Sequence, residues 1–115
     1  MSYVVKSNQF IIAKNVVYAD NFMSRVIGLM FKNKMKNMDG LIITPCKSIH
    51  TFFMRFNIDV IFMDREYRVI KVIKNMKPWR ISSFYWKAEH VLELEGSTIN
   101  IEINKGDTLE VLCTK

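Results

Sequence analysis

Residues 60–74 read VIFMDREYRVIKVIK, and this stretch carries the clearest structural signal in the chain. Two runs rich in Val and Ile flank the polar segment DREY, as is typical of two strands joined by a short connection. A connection of this length belongs to the common hairpin classes. The stretch therefore predicts a β-hairpin, with a bulge or an irregular face because Val69, Val72 and Ile73 do not alternate cleanly.

Further β-rich segments lie on both sides of the hairpin. The predicted strands are residues 9–18, 41–44, 51–54, 59–63, 68–74, 90–94 and 109–113. Residues 98–103 alternate like a strand, while a second helix near 97–104 is the open alternative. One short helix is predicted from a cap at Asp20 to Gly28. These elements predict an α+β fold, mostly antiparallel β, with a small curled or barrel-like sheet.

The composition is that of a globular chain. With 115 residues, half of them apolar, and without a linker or repeat, residues 1–115 are expected to form a single domain. The N-terminus lacks the pattern of a signal peptide, and the longest apolar runs, of which Val60 to Met63 is one, are far shorter than the roughly 20 residues of a membrane helix. We therefore expect a cytoplasmic protein without membrane insertion, in which Cys46 and Cys113 are reduced core thiols.

Charge is unevenly distributed along the chain. Residues 1–88 carry 15 Lys and Arg against 5 acids, whereas residues 89–115 carry 2 against 6, so the parts have net charges of +10 and −4. Such asymmetry can indicate an anionic partner, or the acidic part can pack beside the basic part and balance it in space. We favour the second interpretation, in which the acidic part balances the charge of the basic part within the fold.

Several short motifs follow one another through the chain. In order they are Arg25 with GLMF at 28–31, CKSIHTFFMRF at 46–56, IDVIFMD at 58–64, Pro78, VLEL at 91–94 with Gly96, and Gly106 with Asp107. In these motifs residues 20–112 resemble the domain-of-unknown-function family 192 (DUF192), a group of small prokaryotic proteins. The resemblance implies a compact, β-rich α+β domain. It implies no reaction, ligand or cofactor.

Two residues depart from the pattern of that family. Asn57 stands where similar proteins carry Pro, and Tyr67 stands where they carry Gly in the hairpin turn. A bulky residue is poorly suited to positive φ, so the type of hairpin turn at Tyr67 is expected to differ from the turn that Gly forms in similar proteins.

The densest group of chemically capable side chains lies around the HTFFMRF motif, and its members are Cys46, His50, Thr51, Arg55, Asp59 and Asp64. We predict that His50, Thr51, Arg55 and Asp59 form a ligand-binding polar patch. A structural role is open for each, such as capping by His50 and Thr51 or backbone hydrogen bonds to Asp59. A Cys46–His50 dyad is disfavoured because four residues along a strand span about 13 Å. No metal site or cofactor is expected, since the chain lacks paired zinc-ligand spacings.

An aromatic segment precedes the last strands. Trp79, Phe84, Tyr85 and Trp86 are predicted to cover one end of the core, and stacking on a base or a sugar is the alternative.

Three functions are compatible with these residues. The first is a non-enzymatic binding or accessory domain that presents the polar patch to a small polar or anionic ligand, or to a protein partner. The alternative is a hydrolase or transferase on a polar metabolite, with Asp59 or His50 as base. A further alternative is a basic nucleic-acid-binding barrel, suggested by the pI of about 9.4. A nucleic-acid ligand is disfavoured because the aromatic residues are spaced along the sequence like residues of a buried core.

Overall fold

A computed structural model describes residues 2–19, 35 and 38–114, and all regular secondary structure in this part of the chain is β-strand. The seven strands are β1 (Tyr3–Ser7), β2 (Phe10–Ala19), β3 (Gly40–Ile43), β4 (Ile58–Met63), β5 (Val69–Met76), β6 (His90–Glu95) and β7 (Leu109–Cys113). They form one sheet in the order β5-β4-β6-β3-β2-β1-β7. Strands β2 and β3 pair in parallel, and the other neighbours are antiparallel.

The sheet curls until its two edges approach each other. Arg68 and Thr108, which immediately precede edge strands β5 and β7, form an isolated antiparallel bridge. The Val69 amide donates to the Asp107 carbonyl at 2.7 Å, and the Leu109 amide donates to the Tyr67 carbonyl at 3.0 Å. The prediction of a curled, barrel-like sheet is therefore confirmed.

Strand β4 is buried on both faces, which explains its continuous apolar run. Val60 and Phe62 face one hydrophobic cluster, whereas Ile61 and Met63 face a second cluster on the other side. The predicted hairpin of β4 and β5 is present, and its register shifts between Phe62 and Met63 as a bulge would require.

The predicted α+β class is wrong, because the described residues form an all-β fold. Residues 97–104 form a turn and irregular chain, neither helix nor strand. Their alternation reflects burial alone: Ile99 and Ile103 point into the core, and the Ile99 amide binds the Asp59 carboxylate at 2.9 Å rather than a neighbouring strand. Residues 51–54 form a turn instead of the predicted strand. The helix predicted from Asp20 to Gly28 lies outside the described residues.

The β-strand at Tyr3–Ser7 was missed, although its sequence, YVVKS, carries β-branched residues. The irregularity predicted near Lys14 and Asn15 is confirmed. Both amides donate to the carboxylate of Asp39, at 2.9 and 2.7 Å, and the pairing with β1 slips there.

Tyr67 occupies the left-handed region with φ of 64°. Its ring stacks on His90 at 4.2 Å, and its hydroxyl bonds to the hydroxyl of Tyr18 at 2.7 Å. These contacts offset the backbone strain that a non-glycine residue incurs there. Burial of the His90 side chain lowers its pKa below the ordinary value.

Nowhere in the described residues is there a helix with the length and apolarity needed to cross a bilayer.

Candidate functional site

Two loops run side by side at one end of the sheet, residues 46–57 before β4 and residues 77–89 after β5. Five backbone hydrogen bonds join them: Cys46 N to Glu89 O at 3.0 Å, Tyr85 N to Lys47 O at 2.8 Å, Ser82 N to Ile49 O at 2.9 Å, Thr51 N to Arg80 O at 2.8 Å, and Trp79 N to Thr51 O at 2.9 Å. We call them the paired loops. They carry most of the residues that the sequence singled out.

Thr51 is fully buried between the paired loops. Its hydroxyl donates to the Lys77 carbonyl at 2.6 Å and accepts a hydrogen bond from the Arg80 amide at 2.9 Å. Both polar functions of the hydroxyl are thus used within the protein. Thr51 fixes the second loop against the first.

Replacing Thr51 with Val is expected to lower the free energy of unfolding by about 2 kcal/mol, because the Arg80 amide and the Lys77 carbonyl lose their partner while the side chain keeps its shape. Urea unfolding of the variant measures this change. Ser83→Ala, an exposed substitution in the same loop, is the control. A Thr51→Val protein as stable as wild type would contradict the structural role.

Asp59 is also fully buried. Its Oδ1 accepts hydrogen bonds from the amides of Asn75 at 2.8 Å and Ser97 at 3.2 Å, and its Oδ2 accepts one from Ile99 at 2.9 Å. The carboxylate therefore ties β4 to the end of β5 and to the chain after β6. It does not reach the surface.

His50 and Arg55 are exposed. The His50 Nδ1 accepts a hydrogen bond from the Phe52 amide at 3.1 Å, and the two rings stack with centroids 4.9 Å apart. The four residues of the predicted polar patch are thus divided. Two are buried and hydrogen-bonded to backbone, and two belong to the surface of the first loop.

The surface of the paired loops is dominated by aromatic rings. Phe52 lies 5.9 Å from Trp79 between ring centroids, and Phe53 lies 4.7 Å from Trp79. Phe53 and Trp79 are 45% and 55% exposed, so this contact does not bury them in the core. We call His50, Phe52, Phe53 and Trp79 the aromatic cluster.

The backbone of the cluster is strained. Phe53 and Trp79 both have φ of 64°, in the left-handed region that favours glycine. Such a conformation costs about 1–3 kcal/mol per residue and concentrates at functional sites. Phe53 and Trp79 thus combine a strained backbone with exposed apolar side chains.

The sequence segments that carry the cluster contain charges of one sign. Residues 50–57 and 74–88 contain five Lys and Arg and no Asp or Glu. All five are exposed, and they are Arg55, Lys74, Lys77, Arg80 and Lys87. The guanidinium of Arg80 donates to the carbonyls of Pro78 at 3.4 Å and Trp79 at 3.5 Å, which holds it beside the cluster.

The prediction that the aromatics of residues 79–86 cover the core is correct for Tyr85 and wrong for the other three. Tyr85 is half-buried against Phe62, at 4.5 Å between centroids. Trp79, Phe84 and Trp86 are all more than half exposed. The signal that could have identified them is the local composition, since residues 77–88 contain Pro, Ser and three cations but no acid.

The thiols do not form a reactive pair. Cys46 is half-buried and donates to the Ser48 carbonyl at 3.1 Å, whereas Cys113 is exposed, so the expectation of a core thiol is wrong for Cys113. Both are free of disulfides. Within residues 2–19, 35 and 38–114, no three His, Cys, Asp or Glu side chains come close enough to hold a metal ion.

The fold and this surface define a small all-β protein with an aromatic cluster displayed on paired loops. The chain belongs to the DUF192 family, described as Uncharacterized ACR, whose model matches residues 3–111. It is 41% identical to a UPF0127 protein of Pyrococcus horikoshii over 80 residues, which cover 65% of this chain and 67% of that protein.

Two solved structures share the fold. One is a protein of unknown function from Novosphingobium aromaticivorans, with a TM-score of 0.78 and 21% identity, covering 94% of this chain and 82% of that one. The other, provisionally described as a transcription regulator of Sinorhizobium meliloti, has a TM-score of 0.77 and 18% identity and covers 95% and 91% of the two chains. At these identities the likeness shows the fold alone.

Proposed function

We propose that this chain is a binding module and that its aromatic cluster binds single-stranded nucleic acid. The observation that carries the proposal is the exposure of Phe53 and Trp79, on left-handed backbone, within residues 50–57 and 74–88, which contain five cations and no acids. Nucleobases stack on such rings at about 1–3 kcal/mol per base, and phosphates pair with neighbouring Lys and Arg. Both parts of the ligand therefore find a complementary group here.

The other functions considered from the sequence have less support. A polar patch for a small ligand would lose Thr51 and Asp59, whose polar atoms are already hydrogen-bonded to backbone. An enzyme with Asp59 as base would need that buried carboxylate in a cleft. The argument against nucleic acid is that the aromatics belong to the core, and that premise fails for Trp79, Phe84 and Trp86.

The proposal also assigns the protein to the cytoplasm, where nucleic acid is accessible and where cysteines outside disulfides, such as Cys46 and Cys113, persist.

Binding of a labelled single-stranded oligonucleotide of about 12 nucleotides, measured by fluorescence anisotropy, tests the proposal. Trp79→Ala is expected to weaken binding about tenfold, because it removes one stacking surface. Phe10→Ala is the matched control, since Phe10 is an exposed aromatic on β2, and it should bind like wild type. Affinity should also fall steeply as salt concentration rises.

Equal affinities of the Trp79→Ala and wild-type proteins would contradict the proposal, as would an affinity that does not change with salt. Circular dichroism of both variants checks that the exposed substitutions leave the fold intact. If no oligonucleotide binds, the aromatic cluster serves another partner and the proposed ligand is wrong.

A further inference from the structure

A concave site, separate from the aromatic cluster, lies where the two edges of the curled sheet meet. It is a cavity of about 420 Å³, within the range of roughly 300–1,000 Å³ that is usual for small-molecule sites. Three segments line it: Asp64 and residues 68–70 of the hairpin, residues 84–87 of the second paired loop, and the turn at Lys105 and Gly106. We call it the seam cleft.

One wall of the seam cleft is aromatic. The rings of Phe84 and Trp86 meet edge to face at 4.7 Å, and Trp86 is 80% exposed. Their backbone is anchored from below, because Tyr85 packs on Phe62 and the Lys47 ammonium donates to the carbonyls of Trp86 at 3.0 Å and Ala88 at 2.7 Å. Two apolar rings are thus held in solvent by a fixed loop, as expected of a ligand platform.

The rim of the seam cleft is positively charged. Arg68, Lys87 and Lys105 line it together with one acid, Asp64. Asp64 is already engaged, since its carboxylate accepts the amides of Glu66 and Arg68 at 2.9 Å each and pairs with the Arg68 guanidinium at 3.6 Å. The two lysines therefore set the charge that a ligand meets.

The turn at Gly106 leaves the cleft open on its third side. Gly106 has φ of 96°, and a Cβ built on it would meet nothing within 4 Å. The Gly106 amide donates to the Val69 carbonyl at 2.8 Å, so the turn is fixed to the hairpin and carries Lys105 with it. A residue with a side chain here would be strained and would project into free space.

From this geometry we infer that the seam cleft binds a small anion that carries a flat ring, with a nucleoside monophosphate as the chemical type. The ring stacks on Trp86 beside Phe84, and the phosphate pairs with Lys87 and Lys105. The site is separate from the aromatic cluster, and it requires no single-stranded nucleic acid. Its ligand is either a free nucleotide or the phosphorylated end of a strand, which offer the same chemistry.

The two tryptophans allow the site to be observed alone. In a Trp79→Ala protein, Trp86 is the remaining tryptophan and the aromatic cluster is disabled, so any fluorescence response reports on the seam cleft. Titration with AMP is expected to quench Trp86 with saturation. Adenosine, which lacks the phosphate, should bind about tenfold more weakly.

Charge variants in the same background complete the test. Lys105→Ala is expected to weaken AMP binding about tenfold, whereas Lys14→Ala, which changes an exposed lysine of β2 that does not line the cleft, should leave it unchanged. Competition by an oligonucleotide with a 5′-phosphate, compared with one without, distinguishes a strand end from a free nucleotide as the natural source. Absence of a saturable response to AMP would overturn the inference, and so would equal affinity for AMP and adenosine. Either result leaves the nucleic-acid proposal for the aromatic cluster to its own test.

Discussion

Asp59→Ala is expected to lower the free energy of unfolding by about 3–6 kcal/mol, the largest effect of a single side chain that the structure indicates. The carboxylate is fully buried and accepts three backbone amides, from Asn75, Ser97 and Ile99. Without it, three amides lose their acceptor, and each buried unsatisfied group costs about 1–3 kcal/mol. Because a domain of this size is stabilised by about 5–15 kcal/mol, the variant should be near the limit of folding.

Urea denaturation of a series of variants separates the possible roles of Asp59. Asp59→Asn keeps an oxygen for Asn75 and Ser97 but presents an amide N–H₂ to the Ile99 amide, so its stability should lie between those of wild type and Asp59→Ala. Glu110→Ala, an exposed acid of β7, is the control and should change little. If Asp59→Ala remained within about 1 kcal/mol of wild type, the structural role would be wrong and a ligand-binding role would regain support.

The sequence predicts best where one physical constraint acts alone. The hairpin of β4 and β5 follows from its β-branched runs, and the irregularity at Lys14 and Asn15 follows from the polar interruption of β2. Residues 98–103 were assigned incorrectly because alternation reports burial only. The partner of the Ile99 amide is a carboxylate 40 residues away in sequence, which no local pattern can indicate.

The predicted site failed in part for a related reason. Thr51 and Asp59 are polar residues beside exposed ones, and a sequence does not tell whether a hydroxyl or carboxylate faces solvent or a buried backbone amide. Trp79 and Trp86 were assigned to the core by the opposite error, since apolar residues are usually buried. The left-handed backbone and the exposure of Trp79 are properties of the folded paired loops. The clue available from the sequence was the absence of acids from residues 77–88.

Glu93→Gln is expected to stabilise the protein increasingly as the pH rises, by up to about 5 kcal/mol. Glu93 lies in β6 opposite Leu41 and Val60, and burial raises its pKa from 4.5 to about 8. The folded state therefore keeps a proton that the unfolded state releases between these two values. Each pH unit in that interval lowers the free energy of unfolding of the wild-type protein by about 1.4 kcal/mol.

Guanidinium denaturation of the Glu93→Gln and wild-type proteins at pH 5, 7 and 9 measures the difference, and other titrating groups cancel because both proteins contain them. The stabilising contribution of the protonated carboxyl is complete below pH 4.5 and is lost as the pH rises through about 8, so the two proteins should be similar at pH 5 and farthest apart at pH 9. Glu102→Gln, which changes an exposed acid, should show no such divergence. A Glu93→Gln protein that is less stable than wild type at pH 9 would contradict the prediction, because the charged carboxylate would then be stabilised by a cation within the fold, and Glu93 would be one half of a buried ion pair.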